Sequence, residues 1–438
     1  MKKSIFIILM AIIISGIAYY VLPGEEIETT QKKDKVNALT IYHWWTSPGE
    51  SAAINALIDV FADKYPGTII LPSSITGKDS GGGSIDLFNV IQPMISASEA
   101  PDVFQINGGY AGERYTDGNH LEIIDSIWES KELEKVIPPI VQDICKVKGH
   151  YYAVPVNIHR TNVVWYNKKL LDENNIDPEG LDSWDKFFEA CEKLKNNGIK
   201  NPIQMGAAWT AGQVFEGIVA SIGIDFYEDW INGKLTDPDD PRITEAFETF
   251  KKYISYVNPD NPETQWNTAT DRVIRGEGAF NIMGDWNNGE FEAAELKYGT
   301  DYGTIPVPGT KKLYALGIDT FQHPKGSAHP VNAYKWLEVV SSREGQDAFN
   351  PLKGSISARL DSDITKYGEY QKTAMSDFWQ AKHMYPTLSN GTPIVFADEI
   401  QNILTDFIQN PDSKKAVMEM TTFTKENSET FTRNWILE

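Results

Sequence analysis

From Leu39 onward, short β-branched or aromatic runs alternate with stretches of helical periodicity. This alternation constrains the fold more than any other feature of the chain. Residues 38–44 (Ala-Leu-Thr-Ile-Tyr-His-Trp) read as a strand. Residues 51–65 then place Ile54, Leu57, Ile58 and Phe61 on one helical face. Further strands are expected at 68–71 and 103–106, and beyond Pro155 at 162–166. Ser183 is positioned to cap a helix whose apolar stripe is Trp184, Phe187, Phe188, Cys191 and Leu194. Repeated βα units call for a mostly parallel sheet with helices on its faces. The chain has 438 residues, enough for more than one domain, and recurrence of the same texture predicts two α/β lobes.

The N-terminus is different in kind. Met1-Lys2-Lys3 precedes an uncharged, mainly apolar run at 4–22, long enough to cross a bilayer. It is either a secretory signal or an uncleaved membrane anchor, taken here as residues 1–24. The two lysines before it favour a cytoplasmic N-terminus and an exported body, periplasmic or at the cell surface. Residues 25–38 are polar and read as a tether. No second run of spanning length follows, so the remainder is expected to be soluble.

Charge excludes some functions. Lys and Arg number 40 against 61 Asp and Glu, a net charge of −21. General binding to a nucleic-acid backbone needs clustered positive charge and is not expected. Two cysteines, Cys145 and Cys191, exclude a disulfide framework. Both are expected to be free, because a bond between lobes would obstruct any relative motion. The seven histidines show no metal-ligand spacing, and neither metal nor cofactor is expected. No His-Glu-x-x-His or Gly-x-Ser-x-Gly motif occurs. Thr76-Gly77-Lys78-Asp79-Ser80 resembles a phosphate loop, but Pro72 stands at the first glycine's place and Asp79 would repel a phosphate. Gly81-Gly82-Gly83-Ser84 precedes a helix-like run and reads equally as a flexible loop or as a cradle of backbone amides.

Three strand-end loops carry aromatics or glycines beside hydrogen-bonding groups. They are Trp44-Trp45-Thr46-Ser47-Pro48-Gly49-Glu50, Gln105-Ile106-Asn107-Gly108-Gly109 and Gly284-Asp285-Trp286-Asn287. Ligands of open α/β sheets bind outside the carboxyl ends of strands, where these loops lie. A sugar needs this mixture, an aromatic ring under its C–H face and amides or carboxylates around its hydroxyls. For a single Trp, core packing remains the competing reading.

At these residues the sequence resembles the family 1 extracellular solute-binding proteins of ABC importers, the maltose-binding-like group, and within it the glucose/mannose type. The resemblance is carried by Trp44 to Glu50, by Ala100-Pro101-Asp102-Val103-Phe104-Gln105, and by Val154 to Arg160 continuing through Trp165-Tyr166-Asn167-Lys168. Gly276 to Trp286 carries it further, and Leu352-Lys353-Gly354-Ser355 looks like the glucose-type subgroup. It implies two α/β lobes joined by three crossing segments, with the ligand in the interlobe cleft. It places the crossings near 153–155, 314–317 and 350–354. Lobe one is then 39–153 plus 317–350, and lobe two 154–316 plus 351–438. Pro155 and Gly317 are expected to suit the backbone of a crossing.

The resemblance also transfers a site. Trp44, Trp45 and Glu50 are expected as first contacts, Gln105 as a hydroxyl-binding amide, His159 as a cleft-lining imidazole and Asp285 as the main carboxylate beside Trp286. Lys353 is the expected basic group, and Trp209 and Trp266 are added as stacking faces. Asn107 and Asn390 stand where the glucose-type proteins tend to carry histidine, so glucose itself is not implied. The implied function is a monomeric receptor that captures a mono- or oligosaccharide and delivers it to the permease subunits of an ABC importer. Two alternatives stay open: a different solute, such as a polyol or a sugar phosphate, and a secreted glycoside hydrolase using Glu50 and Asp285 as its carboxyl pair.

Overall fold

The computed structural model describes residues 36–75, 84–116, 118–207 and 209–437. The readings of segment 4–22, of most of the tether and of residues 76–83 lie outside them. The tether is shorter than its expected end, because Ala38 already belongs to the first strand.

The first sheet has five strands, in the spatial order Ile69–Ser74, Ala38–His43, Val103–Asn107, Asp319–Gln322 and Ala153–Pro155. Strand β1 (Ala38–His43) runs parallel to β2 (Ile69–Ser74) and β3 (Val103–Asn107). Leu39 and Ile41 are fully buried, as alternation on a half-covered strand requires. A two-stranded ribbon, β4 (Lys146–Val147) and β5 (His150–Tyr151), precedes β6 (Ala153–Pro155). A second sheet pairs β8 (Val163–Asn167) antiparallel with β9 (Phe280–Ile282) and β10 (Tyr302–Pro306). A third holds β11 (Leu313–Gly317) between β7 (His159–Arg160) and β13 (His383–Pro386). Strand β12 (Asp319–Gln322) returns to the first sheet, antiparallel to both β3 and β6.

The chain therefore moves between sheet systems three times. It passes from β6 to β7 through residues 156–158, and from β11 to β12 at Ile318. A third passage follows the helix Arg343–Lys353, where Ile356 pairs with Ile158. These passages adjoin the stretches 153–155, 314–317 and 350–354 near which crossings were expected. The expected positions came from the family resemblance, and Pro155 and Gly317 were expected only to suit the backbone there. Gly317 has no positive φ, and a side-chain carbon there would meet nothing closer than 3.6 Å. Gly354 is the position that requires glycine, with φ +90° and only 2.3 Å from an added Cβ to the Asp285 carbonyl oxygen.

The sheets are less parallel than expected. Among the strands of the described residues, β1–β2, β1–β3 and β11–β13 are the pairs that run parallel. Strand β12 follows the second crossing and runs against both of its neighbours, β3 and β6, so the connections that make parallel βα units are interrupted there.

Six helices frame the site. Helix α1 (Pro48–Lys64) starts with Pro48 at its first turn and buries Ala53, Ile54, Leu57 and Phe61. Helix α2 (Trp209–Ile222) is mostly buried, and α3 (Trp266–Ile274) and α4 (Asn287–Ala293) flank β9. Helix α5 (Arg343–Lys353) packs on α1, and α6 (Ile394–Gln409) lies alongside α2. The helix Trp184–Asn196 forms as expected, with Ser183 accepting from the Lys186 amide. Cys145 and Cys191 are buried free thiols. Among the described residues, no helix is long and apolar enough to cross a membrane.

Candidate functional site

The end of β1 turns sharply into α1. His43 is buried, and burial pushes its imidazole down to about 4. It is therefore neutral at physiological pH, and its Nδ1 accepts from the Trp45 amide at 3.2 Å. The Trp44 amide donates to Gln105 Oε1 at 3.1 Å. Gln105 is completely buried and does not border the cleft, so its carboxamide oxygen serves the turn rather than a ligand. The turn lets both tryptophans reach the cleft wall, but they differ. Trp44 is half-buried. Trp45 is 1% exposed, with its ring 4.8 Å from Phe349 and edge-on to Phe321.

At the bottom of the cleft lies a charged cluster built on the crossings. His159 follows the first crossing and Asp319 the second. The His159 Nε2 is 3.2 Å from Asp319, and its Nδ1 meets Asp285. Asn157 and Asp319 bond reciprocally, amide to carboxylate and amide oxygen to backbone N–H, each at 3.0 Å. Burial alone would drive the His159 proton off. The Asp285 and Asp319 carboxylates on either side outweigh it and hold the imidazole above its usual value. Asp319 is held below its usual value against its own burial, mainly by His159. Asp285 is raised by burial despite the imidazole.

Asp285 itself departs from expectation. It is fully buried, does not border the cleft, and has one oxygen on His159 and the other on the Arg160 amide at 2.9 Å. Its oxygens are committed before any ligand arrives, because the crossing backbone lies against the loop after β9. Asn390 departs likewise. Its side chain is buried and bonds Gly108 O, Ile318 N and O, and Thr387. It ties the second crossing to the turn Leu388–Gly391.

The other expected residues converge. A cleft of about 620 Å³ is lined by Trp44, Trp45, Glu50, Asn107, His159 and Trp209, together with Trp266, Trp286 and Lys353. That volume suits a small organic ligand. Trp286 is its centre, with His159 edge-on at 5.0 Å, Trp209 at 6.0 Å and the Lys353 ammonium 5.5 Å from the ring centroid. Lys353 pairs with Glu50 at 3.0 Å. The second Glu50 oxygen reaches back to the amides of Thr46 and Ser47, capping α1. Among the described residues, no group of His, Cys, Asp and Glu is arranged to hold a metal ion.

Comparison with known proteins decides the family. The sequence profile of the bacterial extracellular solute-binding proteins matches residues 45–347. An ABC transporter extracellular-binding protein of Pyrococcus horikoshii is 38% identical over 94% of this chain and 93% of its own length. The chain is a bacterial-type extracellular solute-binding protein. A probable sugar-binding periplasmic protein of Rhizobium meliloti is 30% identical over 87% of this chain and 92% of its own. Among solved structures, the bacterial solute receptor AcbH superimposes with a TM-score of 0.76 at 16% identity, over 90% of this chain and 99% of that one. That likeness supports the two-lobe fold.

Sequence reasoning missed several residues that line the cleft of this solute-binding protein. Asp319 sits where the chain crosses, and its only signal was the adjacent Gly317-Ile318. Thr161, Gln213 and Glu216 also border the cleft. Glu216 carried a usable signal, a lone acid within the apolar run Val214 to Ala220. It is buried, accepts from the Leu388 amide at 2.8 Å and contacts the Thr161 hydroxyl at 3.4 Å. Burial outweighs those donors and pushes it up to about 8, so the carboxyl is mostly protonated at neutral pH.

Proposed function

We propose that this solute-binding protein is a carbohydrate receptor, exported from the cytoplasm, that captures a neutral saccharide between its lobes and hands it to an ABC importer. The observation that carries the reading is the Trp286 chamber. Four cleft-lining tryptophans other than Trp45 supply flat faces, while Asn107, His159, Asp319 and Glu50 supply hydrogen-bonding groups around them. The sugar-binding relatives point the same way. Trp286 is the stacking face of this proposal. Trp44, Trp209 and Trp266 enclose the ring's edges. Asp319, His159 and Asn107 bind hydroxyls, and Glu50 and Lys353 close the far wall.

Two alternatives lose support. A sugar phosphate wants uncommitted cations. Lys353 is paired with Glu50, and Arg160 is buried on Asp377 away from the cleft. A hydrolase using Glu50 and Asp285 needs both carboxyls across the scissile bond, but Asp285 lies behind His159. In the proposed cycle the ligand bridges the lobes and the crossings bend. Hinge closure is the general behaviour of periplasmic binding proteins as a class and is taken from that class. The apolar segment 4–22 either directs export and is removed or anchors the receptor, which works as a monomer beside its permease.

A thermal-shift screen against neutral monosaccharides, disaccharides and sugar phosphates tests this reading, since a ligand of the native state raises its stability by mass action. A neutral saccharide should raise the melting temperature in proportion to the logarithm of its concentration. A response to sugar phosphates alone would overturn it.

A further inference from the structure

The cleft does not end at the tryptophan chamber. It continues along α6, where Ile394, Ala397, Asp398, Gln401, Asn402 and Thr405 all line it. Their steps of three and one keep to one helical face. From Ile394 to Thr405 that face runs about 16 Å at a rise of about 1.5 Å per residue. A hexose of about 12 non-hydrogen atoms, allowed even a liquid-water volume of about 30 Å³ for each, fills about 360 Å³. The cleft holds about 620 Å³.

The chemistry of this extension is that of the sugar chamber without its aromatic floor. Gln401 and Asn402 each offer a donor and an acceptor, and Thr405, whose hydroxyl donates to the Gln401 carbonyl at 2.7 Å, offers an acceptor. Facing them from α2, Gln213 donates through Nε2 to the Thr161 carbonyl at 3.0 Å, while its Oε1 is buried without a partner. Such an oxygen is costly unless a donor reaches it. Lys353 is the one Lys or Arg among the described residues that line the cleft, and it is already paired. An anionic extension of the ligand finds no cation among these lining residues, whereas a hydroxyl meets polar partners over the C-terminal part of the face, from Asp398 to Thr405.

We infer that the α6 face forms additional subsites, and that the ligand is a neutral oligosaccharide of two or more rings with one ring on Trp286. The inference rests on the carbohydrate reading of the cleft. The test is calorimetric titration of the purified full chain with the gluco-, xylo- and galacto-series, each as monomer, dimer and trimer. In the series that binds, the dissociation constant should fall at least about tenfold, 1.4 kcal/mol, between monomer and trimer. Replacing Gln401→Ala and Asn402→Ala together should collapse that ratio toward one. Both changes favour helix, and far-UV circular dichroism checks that the variant is folded. Equal affinities for monomer and trimer would overturn the inference and leave the carbohydrate reading standing. A double variant that keeps the full ratio would overturn it as well. Failure of every saccharide to bind would overturn the reading beneath it.

Discussion

Asp285 distinguishes a ligand-contact residue from one that holds the binding apparatus together. Asp285→Ala removes the acceptor of the buried Arg160 N–H and one of the two carboxylates on His159. The orphaned N–H costs about 1–3 kcal/mol, and breaking one side of a buried charged pair costs about 3–5 kcal/mol. The two overlap on one carboxylate, so a total of about 3–5 kcal/mol is expected. Asp285→Asn keeps an acceptor for Arg160 while losing the charge and the acceptor facing His159, so it should cost less. With a urea m-value of about 3 kcal/mol per molar, the alanine variant's unfolding midpoint should fall by about 1–1.7 M, and the asparagine variant's by less. The assay is urea unfolding followed by far-UV circular dichroism, with saccharide affinity measured separately on the folded variants. If the midpoint stays put while affinity falls about a hundredfold, Asp285 contacts the ligand and the positioning role is refuted.

Other perturbations follow from the same geometry. Trp45→Ala should destabilise the fold by about 3–5 kcal/mol, as removal of a buried ring does, whereas Trp44→Ala should act mainly on affinity; equal unfolding midpoints for the two would count against this division. Glu216 holds its proton up to about pH 8 in the native state but loses it near 4.5 when unfolded, so the native state binds more protons across that window. Its contribution must therefore fall as pH rises from 4.5 to 8, at up to about 1.4 kcal/mol per pH unit. Unfolding midpoints against pH should be flatter for Glu216→Gln than for the wild type, and parallel profiles would refute the assignment. Gly354→Ala meets both the left-handed backbone and the Asp285 carbonyl. It should lower the unfolding midpoint by more than Gly317→Ala, whose site has room for a methyl group.

Much of this was legible in the residues because the signals were local. Strand β1, the capped helix Trp184–Asn196 and the turn after Trp45 follow from periodicity, capping and Ser47-Pro48-Gly49. Trp44 and Trp286 were legible because their loops pair an aromatic with polar groups, and Trp209 and Trp266 came with the family resemblance. What escaped depended on long-range pairing. Gln105, Asp285 and Asn390 carry suitable chemistry, yet in each a side-chain oxygen is taken by backbone from a distant segment: Trp44, Arg160 and Ile318 respectively. No local pattern encodes which backbone arrives. The same reason hid Asp319, whose partner His159 is 160 positions away, and the mixed direction of the first sheet. The α6 face was hidden differently. A polar stripe on an amphipathic helix reads as solvent-facing until the opposite wall of a cleft is known.

The most direct test of the central claim is calorimetric titration of the best-binding saccharide into the wild type and Trp286→Ala, with chromatography of the sugar recovered afterwards. One site per chain, intact sugar, and an affinity loss of at least about thirtyfold in the variant are expected, the scale of a central aromatic contact worth about 2 kcal/mol. Undiminished affinity in a folded Trp286→Ala protein would contradict a saccharide seated on that ring, and recovery of cleaved sugar would contradict a receptor.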